Sequence, residues 1–318
     1  MDLHQLRVFD SAVRTGGFTQ ASRELHLSQS TISQHIRQLE HELGCQLFMR
    51  VGKRVLLTEA GELLRGHGER ILQDVKNVEA AIRELNGMQR GTVRLGTGAT
   101  TLIYQLPPVL EAFQKRFPKI ELVIVSDTTD VLVREVQAQR LDLALVMMPA
   151  AGSDLQLTPL CEEELLIALP SRHPLAKKER LTVSDLRELR FILYEKKTVM
   201  RGLVDGFFAS LGVTPQLAMV MENIEAIKSL VSTGLGASVL PAHAVGNDAL
   251  DRKVRLRRIE RHRLHRQLAL ATLKTVFLPR AVGELSAMIV EELSANAPVR
   301  GAGAQRGGRS AAGSAKAM

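Results

Sequence analysis

The stretch that decides the fold of this chain is residues 19–44, which read TQASRELHLSQSTISQHIRQLEHELG. Thr19 is placed to cap a short helix, and Ser28 to cap a longer one that runs to about Leu43 and ends at Gly44. Apolar residues of the longer helix recur every three or four positions, so they predict one buried stripe. That stripe comprises Ile32, Ile36, Leu39 and Leu43. Two helices joined by a tight turn predict a helix-turn-helix.

The outer face of the longer helix carries side chains that can contact base edges in the major groove of DNA. Glutamine can make paired hydrogen bonds with adenine, arginine can bond guanine or phosphate, and serine is small enough for close approach. Any one of these residues alone can equally be an ordinary solvated residue, but the set favours DNA contact. The candidate contacts of the two helices are Thr19, Gln29, Ser30, Ser33, Gln34 and Arg37.

A short hairpin and a long helix are predicted to follow. Two apolar runs flank a basic tip in which Arg50, Lys53 and Arg54 can contact phosphates or the minor groove, although a charge run can also be a solvated loop. Thr58 is placed to cap an amphipathic helix that extends to Leu85. Such a helix can join two domains and pair with its counterpart in a second chain.

The net charge of +8 is concentrated away from this region. Residues 252–266 hold eight basic residues and one acidic one, whereas residues 1–58 hold seven basic and five acidic ones. The prediction of DNA binding therefore depends on the pattern of residues 19–44, because non-specific electrostatics supplies affinity but not register. Two interpretations of the basic run remain open, namely an exposed strand and loop or an accessory DNA surface.

From residue 91 the sequence alternates between strand-like and helix-like segments, among them a helix predicted over 102–117 and a strand predicted over 164–169. This alternation predicts a parallel sheet covered by helices. In such sheets ligands lie beyond the carboxyl ends of the strands, where helices begin. Small hydroxyl side chains occupy these positions and suit a small anion or a polar metabolite, unless they only cap helices. The candidate effector-binding residues are Thr100, Thr101, Ser126, Thr128, Thr198, Arg201 and Asn223.

Many ordered positions resemble the LysR-type transcriptional regulators. The matching segments are 6–9 (LRVF), 17–22 (GFTQAS), 27–33 (LSQSTIS), 36–40 (IRQLE), 43–44 (LG), 47–50 (LFMR), 57–61 (LTEAG) and, more loosely, 141–145 (LDLAL) and 234–241 (GLGASVLP). The resemblance implies an α/β fold class with an N-terminal winged helix-turn-helix, a long linker helix and a two-lobed effector domain like that of periplasmic binding proteins. One departure is Gln139, where the family often has glycine.

The expected domains are a winged helix-turn-helix over 1–58, a linker and dimerisation helix over 59–90, an effector-binding domain over 91–296 and a disordered tail over 297–318. Lobe I of the effector domain is expected at about 91–160 and 267–296, and lobe II at about 161–266. The expected partners are double-stranded promoter DNA, a small-molecule effector bound between the lobes, and further copies of the chain as a homodimer or homotetramer. RNA polymerase is a further candidate partner.

Several other classes of protein fit less well. No apolar run is long enough for a membrane span and the amino terminus lacks the features of a signal peptide, so a cytoplasmic protein is expected. Cys45 and Cys161 predict no disulfide, and the acidic residues after Cys161 argue against a redox role. Gly96-Thr97-Gly98 lacks the third glycine of a dinucleotide-binding turn, and the His-Glu pair at residue 41 lacks a second zinc-binding histidine.

The chain is therefore expected to have no catalytic residues, no metal and no cofactor. The alternative hypothesis is an α/β enzyme or a solute-binding protein that begins with a helical adaptor. An enzyme of this kind should show paired acid and base residues at the strand ends, where this chain has mostly hydroxyls. A solute-binding protein should carry a secretion signal.

Overall fold

The computed structural model describes residues 1–51, 54–85, 91–246, 250–274 and 278–295. The helices are α1 (Leu3–Arg14), α2 (Phe18–Glu24), α3 (Gln29–Leu43), α4 (Glu59–Leu85), α5 (Ala99–Tyr104), α6 (Leu106–Arg116), α7 (Thr129–Gln137), α8 (Val183–Arg187), α9 (Val199–Ser210), α10 (Ile224–Thr233) and α11 (Arg280–Ala295). The strands are β1 (Phe48–Val51), β2 (Arg54–Leu57), β3 (Gly91–Thr97), β4 (Ile120–Ser126), β5 (Leu143–Met147), β6 (Leu155–Pro170), β7 (Arg180–Leu181), β8 (Arg190–Tyr194), β9 (Gln216–Met221), β10 (Ser238–Pro241), β11 (Val254–Ile259) and β12 (Leu264–Leu273). Within these ranges no helix is sufficiently long and apolar to span a bilayer.

The first three helices and the β1–β2 hairpin pack around one apolar core. The side chain of Ser28 accepts a hydrogen bond from the backbone N–H of Thr31, and Gly44 ends α3 in the left-handed conformation, so both predicted ends are confirmed. The predicted cap at Thr19 is wrong, since α2 begins at Phe18 after Gly17. Phe18 packs against Phe48 with ring centroids 5.3 Å apart. This contact holds Phe18 in the first turn of α2, so the helix begins one residue before Thr19.

The stripe predicted on α3 is confirmed in its main part. Ile32, Ile36 and Leu39 are fully buried in the core, together with side chains of α1. Leu43 is 40% exposed, so its predicted burial is wrong. It lies in the last turn of α3, where the helix ends and the chain turns away toward β1.

Helix α4 has the bounds that its sequence predicts. The hydroxyl of Thr58 accepts a hydrogen bond from the backbone N–H of Gly61 and so caps its first turn. Gly68 stands close against Leu6 of α1, which lets the two helices approach each other. Other apolar side chains of α4 are exposed, namely Leu63, Ile71, Val78 and Ile82.

The rest of the described chain is built on an eight-stranded mixed sheet with the order β4-β3-β5-β12-β6-β11-β7, to which β10 adds by pairing with β6. Strand β3 is parallel to β4 and β5, as predicted, but β12 is antiparallel to both β5 and β6. A second, parallel pair is formed by β8 and β9. The predicted parallel units are therefore joined by long antiparallel strands.

Two separate apolar regions define two lobes. The core of lobe I lies between the sheet of β3, β4 and β5 and the helices α6, α7 and α11. The core of lobe II surrounds β8, α9, α10 and β10. Strands β6 and β12 run through both lobes, because Leu155 and Leu268 belong to lobe I whereas Leu165 and Leu264 belong to lobe II.

Two sequence predictions change in detail. The single helix predicted over 102–117 is two helices, because prolines 107 and 108 favour the first turn of a new helix, α6. The strand predicted over 164–169 starts at Leu155. The basic run 252–266 forms the end of a 3-10 turn, β11, a loop and the start of β12, which agrees with an exposed strand and loop, and its use as an accessory DNA surface stays a prediction.

Gln139 adopts the backbone conformation that glycine favours. Its φ of 56° lies in the left-handed region, directly after α7 and before β5. The backbone of Gln139 is therefore strained in this turn, because residues other than glycine rarely adopt a positive φ.

Candidate DNA-binding surface and interlobe cavity

The polar residues predicted for DNA contact lie on the outside of the helix-turn-helix. Gln29, Ser30, Gln34 and Arg37 of α3 are exposed, and Ser33 is half-buried. Their spacing places Ser30, Ser33, Gln34 and Arg37 along one side of the helix. The guanidinium of Arg37 donates a hydrogen bond through Nε to the carbonyl oxygen of Ser33 at 3.3 Å. Thr19 is exposed in the first turn of α2.

The hairpin is fixed to α3 by one carboxylate. Oε1 of Glu40 accepts hydrogen bonds from the backbone N–H groups of Leu47, at 2.8 Å, and Phe48, at 3.3 Å. Strands β1 and β2 then pair in an antiparallel register that places Arg50 opposite Val55. The side chains of Arg50 and Arg54, and the whole of Lys53, lie outside the part of the chain that the structure describes.

A cavity of about 140 Å³ lies between the two lobes. Its volume is similar to that of a cavity that holds benzene, about 150 Å³. Lobe I contributes side chains from α5, from the start of α7 and from β5, and lobe II contributes side chains from β8, α9 and α10. Four of the predicted effector-binding residues line the cavity, namely Thr100, Thr101, Thr128 and Thr198.

The other three predicted effector-binding residues lie outside this lining. Ser126 is exposed at the end of β4. The guanidinium of Arg201 is held by the carboxylate of Asp205, with Nε 2.8 Å from Oδ1, and by the carbonyl oxygen of Tyr194. The side chain of Asn223 caps α10. Within the lining, the hydroxyl of Thr198 is already used to cap α9 and to donate to the carbonyl of Glu195.

Two residues that the sequence did not single out also line the cavity, Tyr194 and Arg266. Arg266 stands directly opposite Glu163 in the β12–β6 pairing, and its Nε donates to Oε2 of that carboxylate. Gln105 donates to the other oxygen of Glu163. The sequence signal for this pair is the alternation of side chains along β12. Arg266 lies two residues from both Leu264 and Leu268, so it lies on the same face of the strand as these buried residues.

A histidine lies beside the pair of Arg266 and Glu163. Burial lowers the pKa of His243, and this effect exceeds the opposite effect of Glu163, whose Oε1 lies 3.7 Å from Nδ1 of the ring. Burial also raises the pKa of Tyr194, although the charge of Arg266 acts against it. Near neutral pH the imidazole of His243 and the phenol of Tyr194 are therefore both uncharged.

Tyr104 joins the lobes beside the cavity. From α5 of lobe I its hydroxyl donates to Glu225 of α10 and accepts from Nζ of Lys228 at 2.7 Å. Burial, followed by the hydrogen bond to Glu225, raises the pKa of Tyr104 to about 12. Burial lowers the pKa of Lys228, but its contacts with Tyr104 and Asp251 outweigh this and raise it, so the amine stays charged.

The sequence patterns of two known families match this chain. "Bacterial regulatory helix-turn-helix protein, lysR family" matches residues 3–62, and "LysR substrate binding domain" matches residues 86–294. The chain belongs to the LysR family. As a member it is a DNA-binding transcriptional regulator with an effector-binding domain, and not an enzyme or a solute-binding protein.

Individual relatives agree with this assignment. A RuBisCO operon transcriptional regulator of Allochromatium vinosum is 34% identical over 245 residues, which cover 77% of this chain and 81% of that protein. Full-length OxyR of Pseudomonas aeruginosa is 25% identical, with a TM-score of 0.73 over 94% of this chain and 99% of that chain. Full-length CbnR in complex with its target DNA is 23% identical, with a TM-score of 0.68 over 93% of this chain and 100% of that chain, and it supports the fold alone.

Cys161 does not have the surroundings of a reactive thiol. Burial, and then the charge of Glu163, raise the pKa of Cys161 to about 11. A thiol in this state reacts slowly, because the thiolate is the nucleophile. The environment agrees with the prediction of a structural cysteine.

Proposed function

We propose that this LysR-family regulator recognises promoter DNA through the outer face of α3 and the β1–β2 hairpin. The observation that carries the proposal is the division of α3 into a buried stripe and an exposed polar side, which lets the helix enter a major groove without losing its own packing. The proposed contacts are Thr19, Gln29, Ser30, Ser33, Gln34, Arg37, Arg50, Lys53 and Arg54.

The regulator acts as a homodimer or homotetramer in this proposal. The exposed apolar side chains of α4 are Leu63, Ile71, Val78 and Ile82, at steps of eight, seven and four residues. Such steps place them along one seam of a helix that can pair with a second copy. A dimer presents two heads to an inverted repeat, and RNA polymerase is the proposed downstream partner. Because its target is promoter DNA, we place the protein in the cytoplasm.

An effector bound in the interlobe cavity controls the arrangement of the heads. The cavity lining supports Thr100, Thr101, Thr128 and Thr198 as contacts, whereas Arg201 and Asn223 are better supported as structural residues and Ser126 lies outside the lining. A ligand that binds the two lobes differently in two states shifts the population toward one of them. We keep the domain division of the sequence, with the head over 1–58, the linker over 59–90, the effector domain over 91–296 and the tail over 297–318.

The proposal is tested by DNA binding of single alanine variants at fixed salt. The probes are the DNA upstream of the protein's own gene and, because a relative is named for it, the DNA upstream of a RuBisCO operon. Gln29→Ala or Arg37→Ala should weaken specific binding roughly tenfold or more, since a base-reading side chain contributes about 1–3 kcal/mol. Binding to unrelated DNA should change little.

Gln38→Ala is the matched control, because Gln38 is also exposed on α3 but is not among the proposed contacts. It should bind both kinds of DNA like the wild type. If Gln29→Ala and Arg37→Ala weaken binding to the specific DNA and to the unrelated DNA equally, these side chains contact only phosphates. Failure of the wild type to prefer any upstream fragment would overturn the proposed function.

A further inference from the structure

Arg266 has an unsatisfied hydrogen-bond donor at the interlobe cavity. Its side chain is 6% exposed, and its Nε is paired with Glu163. Its Nη2 is buried and has no hydrogen-bond partner among the described residues. Leaving a buried donor unpaired is unfavourable, and a guanidinium can only donate. The missing partner is therefore a hydrogen-bond acceptor.

Tyr194 presents a similar situation in the same cavity. Its hydroxyl is buried without a partner among the described residues, and the residue belongs to the cavity lining. Two unsatisfied donors in the lining of one cavity match the two oxygens of a carboxylate, whereas an amide or ester carbonyl supplies one acceptor oxygen.

Acidic side chains also belong to the cavity lining. The lining includes Asp127 and Glu222, and both residues are exposed there. Two carboxylates disfavour a second anionic group of the ligand and favour hydroxyl donors. The hydroxyls of Thr100 and Thr128 make no hydrogen bonds with described residues, so they are free to bind ligand hydroxyls.

We infer that the effector is a compact monocarboxylic acid that carries hydroxyl groups, with its carboxylate bound by Arg266 and Tyr194. The inference depends on the proposed function, since it assigns the ligand of the same cavity. The cavity volume of about 140 Å³ suits an acid of a few carbon atoms. Arg266 and Tyr194 select for the carboxylate, and Asp127 and Glu222 select against dicarboxylates.

The test uses the full-length protein and measures ligand affinity by calorimetry. The probes are the hydroxy acids glycerate, threonate, ribonate and gluconate, each compared with the polyol of the same carbon number, and tartrate as a dicarboxylate. At least one hydroxy acid should bind, roughly tenfold or more tightly than its polyol, because the carboxylate makes charge-assisted hydrogen bonds that the polyol cannot make. Tartrate should bind less tightly than threonate, and the double variant Asp127→Asn, Glu222→Gln should reduce that difference.

Tyr194→Phe is the decisive variant because it removes only a hydroxyl that has no protein partner. Its thermal midpoint should be no lower than that of the wild type, while its affinity for the hydroxy acid should fall roughly tenfold and that for the polyol should stay the same. Arg266→Gln is combined with Glu163→Gln, because the single change would leave Glu163 buried without its cation. The double variant should lose the preference for acid over polyol.

The inference is overturned if no hydroxy acid of the panel binds, if polyols bind as tightly as the acids, or if Tyr194→Phe keeps the wild-type affinity. Binding to upstream DNA is measured on the same preparations. Normal DNA binding with any of these three results rejects the inference alone. Loss of sequence-preferring DNA binding in the wild type rejects the proposed function itself.

Discussion

At the scale of single residues, the amino end of α3 depends on Ser28. Its Oγ accepts a hydrogen bond from the backbone N–H of Thr31 at 3.1 Å and lies 2.7 Å from the hydroxyls of both Ser30 and Thr31. The first turn of the helix is also where the proposed base contacts begin. Loss of this cap should therefore affect both the stability of the helix end and the placement of the contacts.

We predict that Ser28→Ala destabilises the first turn of α3 by about 1 kcal/mol, the usual value of an N-cap. Hydrogen exchange of the amides of residues 30–32 in the full-length protein should accelerate about fivefold. Ser33→Ala is the control, because the hydroxyl of Ser33 makes no hydrogen bond with a described residue. Unchanged exchange in Ser28→Ala, or an equal acceleration in Ser33→Ala, would contradict the assigned role of the cap.

The role of a residue could be predicted where its partners are close in the sequence, and could not be predicted where its partners are distant in the sequence. Ser28 and Gly44 act on backbone groups within four residues, so the sequence alone places them. Arg266 obtains its role from Glu163, which is 103 positions earlier and meets it only when β12 pairs with β6. The hydroxyls around Thr100, which line the cavity, were selected because they follow a strand, but the same rule also selected Arg201 and Asn223, which bind their own helices.

At the scale of elements, the contact between α4 and the hairpin is very close. A Cβ on Gly61 would lie 2.2 Å from the carbonyl oxygen of Leu47 and 2.8 Å from Cδ2 of Leu57. The backbone oxygen cannot move away without disturbing Leu47, which is fully buried in the core of the head. Glycine is thus required at residue 61 for packing, not for a special backbone conformation.

Gly61→Ala should destabilise the head by about 2 kcal/mol, because overpacking at a rigid contact typically costs about 1–3 kcal/mol. Gly66→Ala, five residues along the same helix, should stabilise it by up to about 1 kcal/mol, since a Cβ there meets nothing within 4 Å and alanine favours the helix. The two melting temperatures, measured by circular dichroism on the full-length proteins, should move in opposite directions. A melting temperature for Gly61→Ala at or above the wild-type value would show that the contact can relax.

The accuracy of the sequence prediction also differs between elements. Helix α4 was predicted from the sequence because Thr58, which caps its first turn, and its amphipathic pattern are both local. The first half of β6 was missed, since Leu155 to Glu162 mix exposed and buried positions and become a strand through ten residues of pairing with β12. Local patterns therefore predict helices here better than they predict long antiparallel strands.

At the scale of the whole molecule, β6 and β12 join two lobes that have separate cores. Polar contacts close the space between the lobes on one side of the cavity. Tyr104 projects from α5 of lobe I and packs against the core of lobe II. The same short helix contributes Thr100 and Thr101 to the cavity, so a ligand at these residues and the interlobe contact act on one rigid element.

We predict that Tyr104→Phe favours separation of the lobes. The change removes the hydroxyl that bridges Glu225 and Lys228, but it keeps the ring, which lies 5.0 Å from Nζ of Lys228, and the ion pair of Lys228 with Asp251 inside lobe II. Amide exchange in α5 and α10 should accelerate roughly tenfold, because a hydrogen bond to a charged group contributes about 1.5–3 kcal/mol. Exchange in the lobe I core, measured at β5, should stay the same.

Glu225→Gln is the matched control for this interlobe contact, because the amide oxygen can still accept a hydrogen bond from the Tyr104 hydroxyl. Amide hydrogen exchange in α5 of this variant should proceed close to the wild-type rate. Binding to upstream DNA should persist in both variants, since the head has its own core. If Tyr104→Phe leaves exchange in α5 and α10 unchanged, the lobes are held by β6 and β12 alone, and an effector in the cavity must act on the heads without changing this contact.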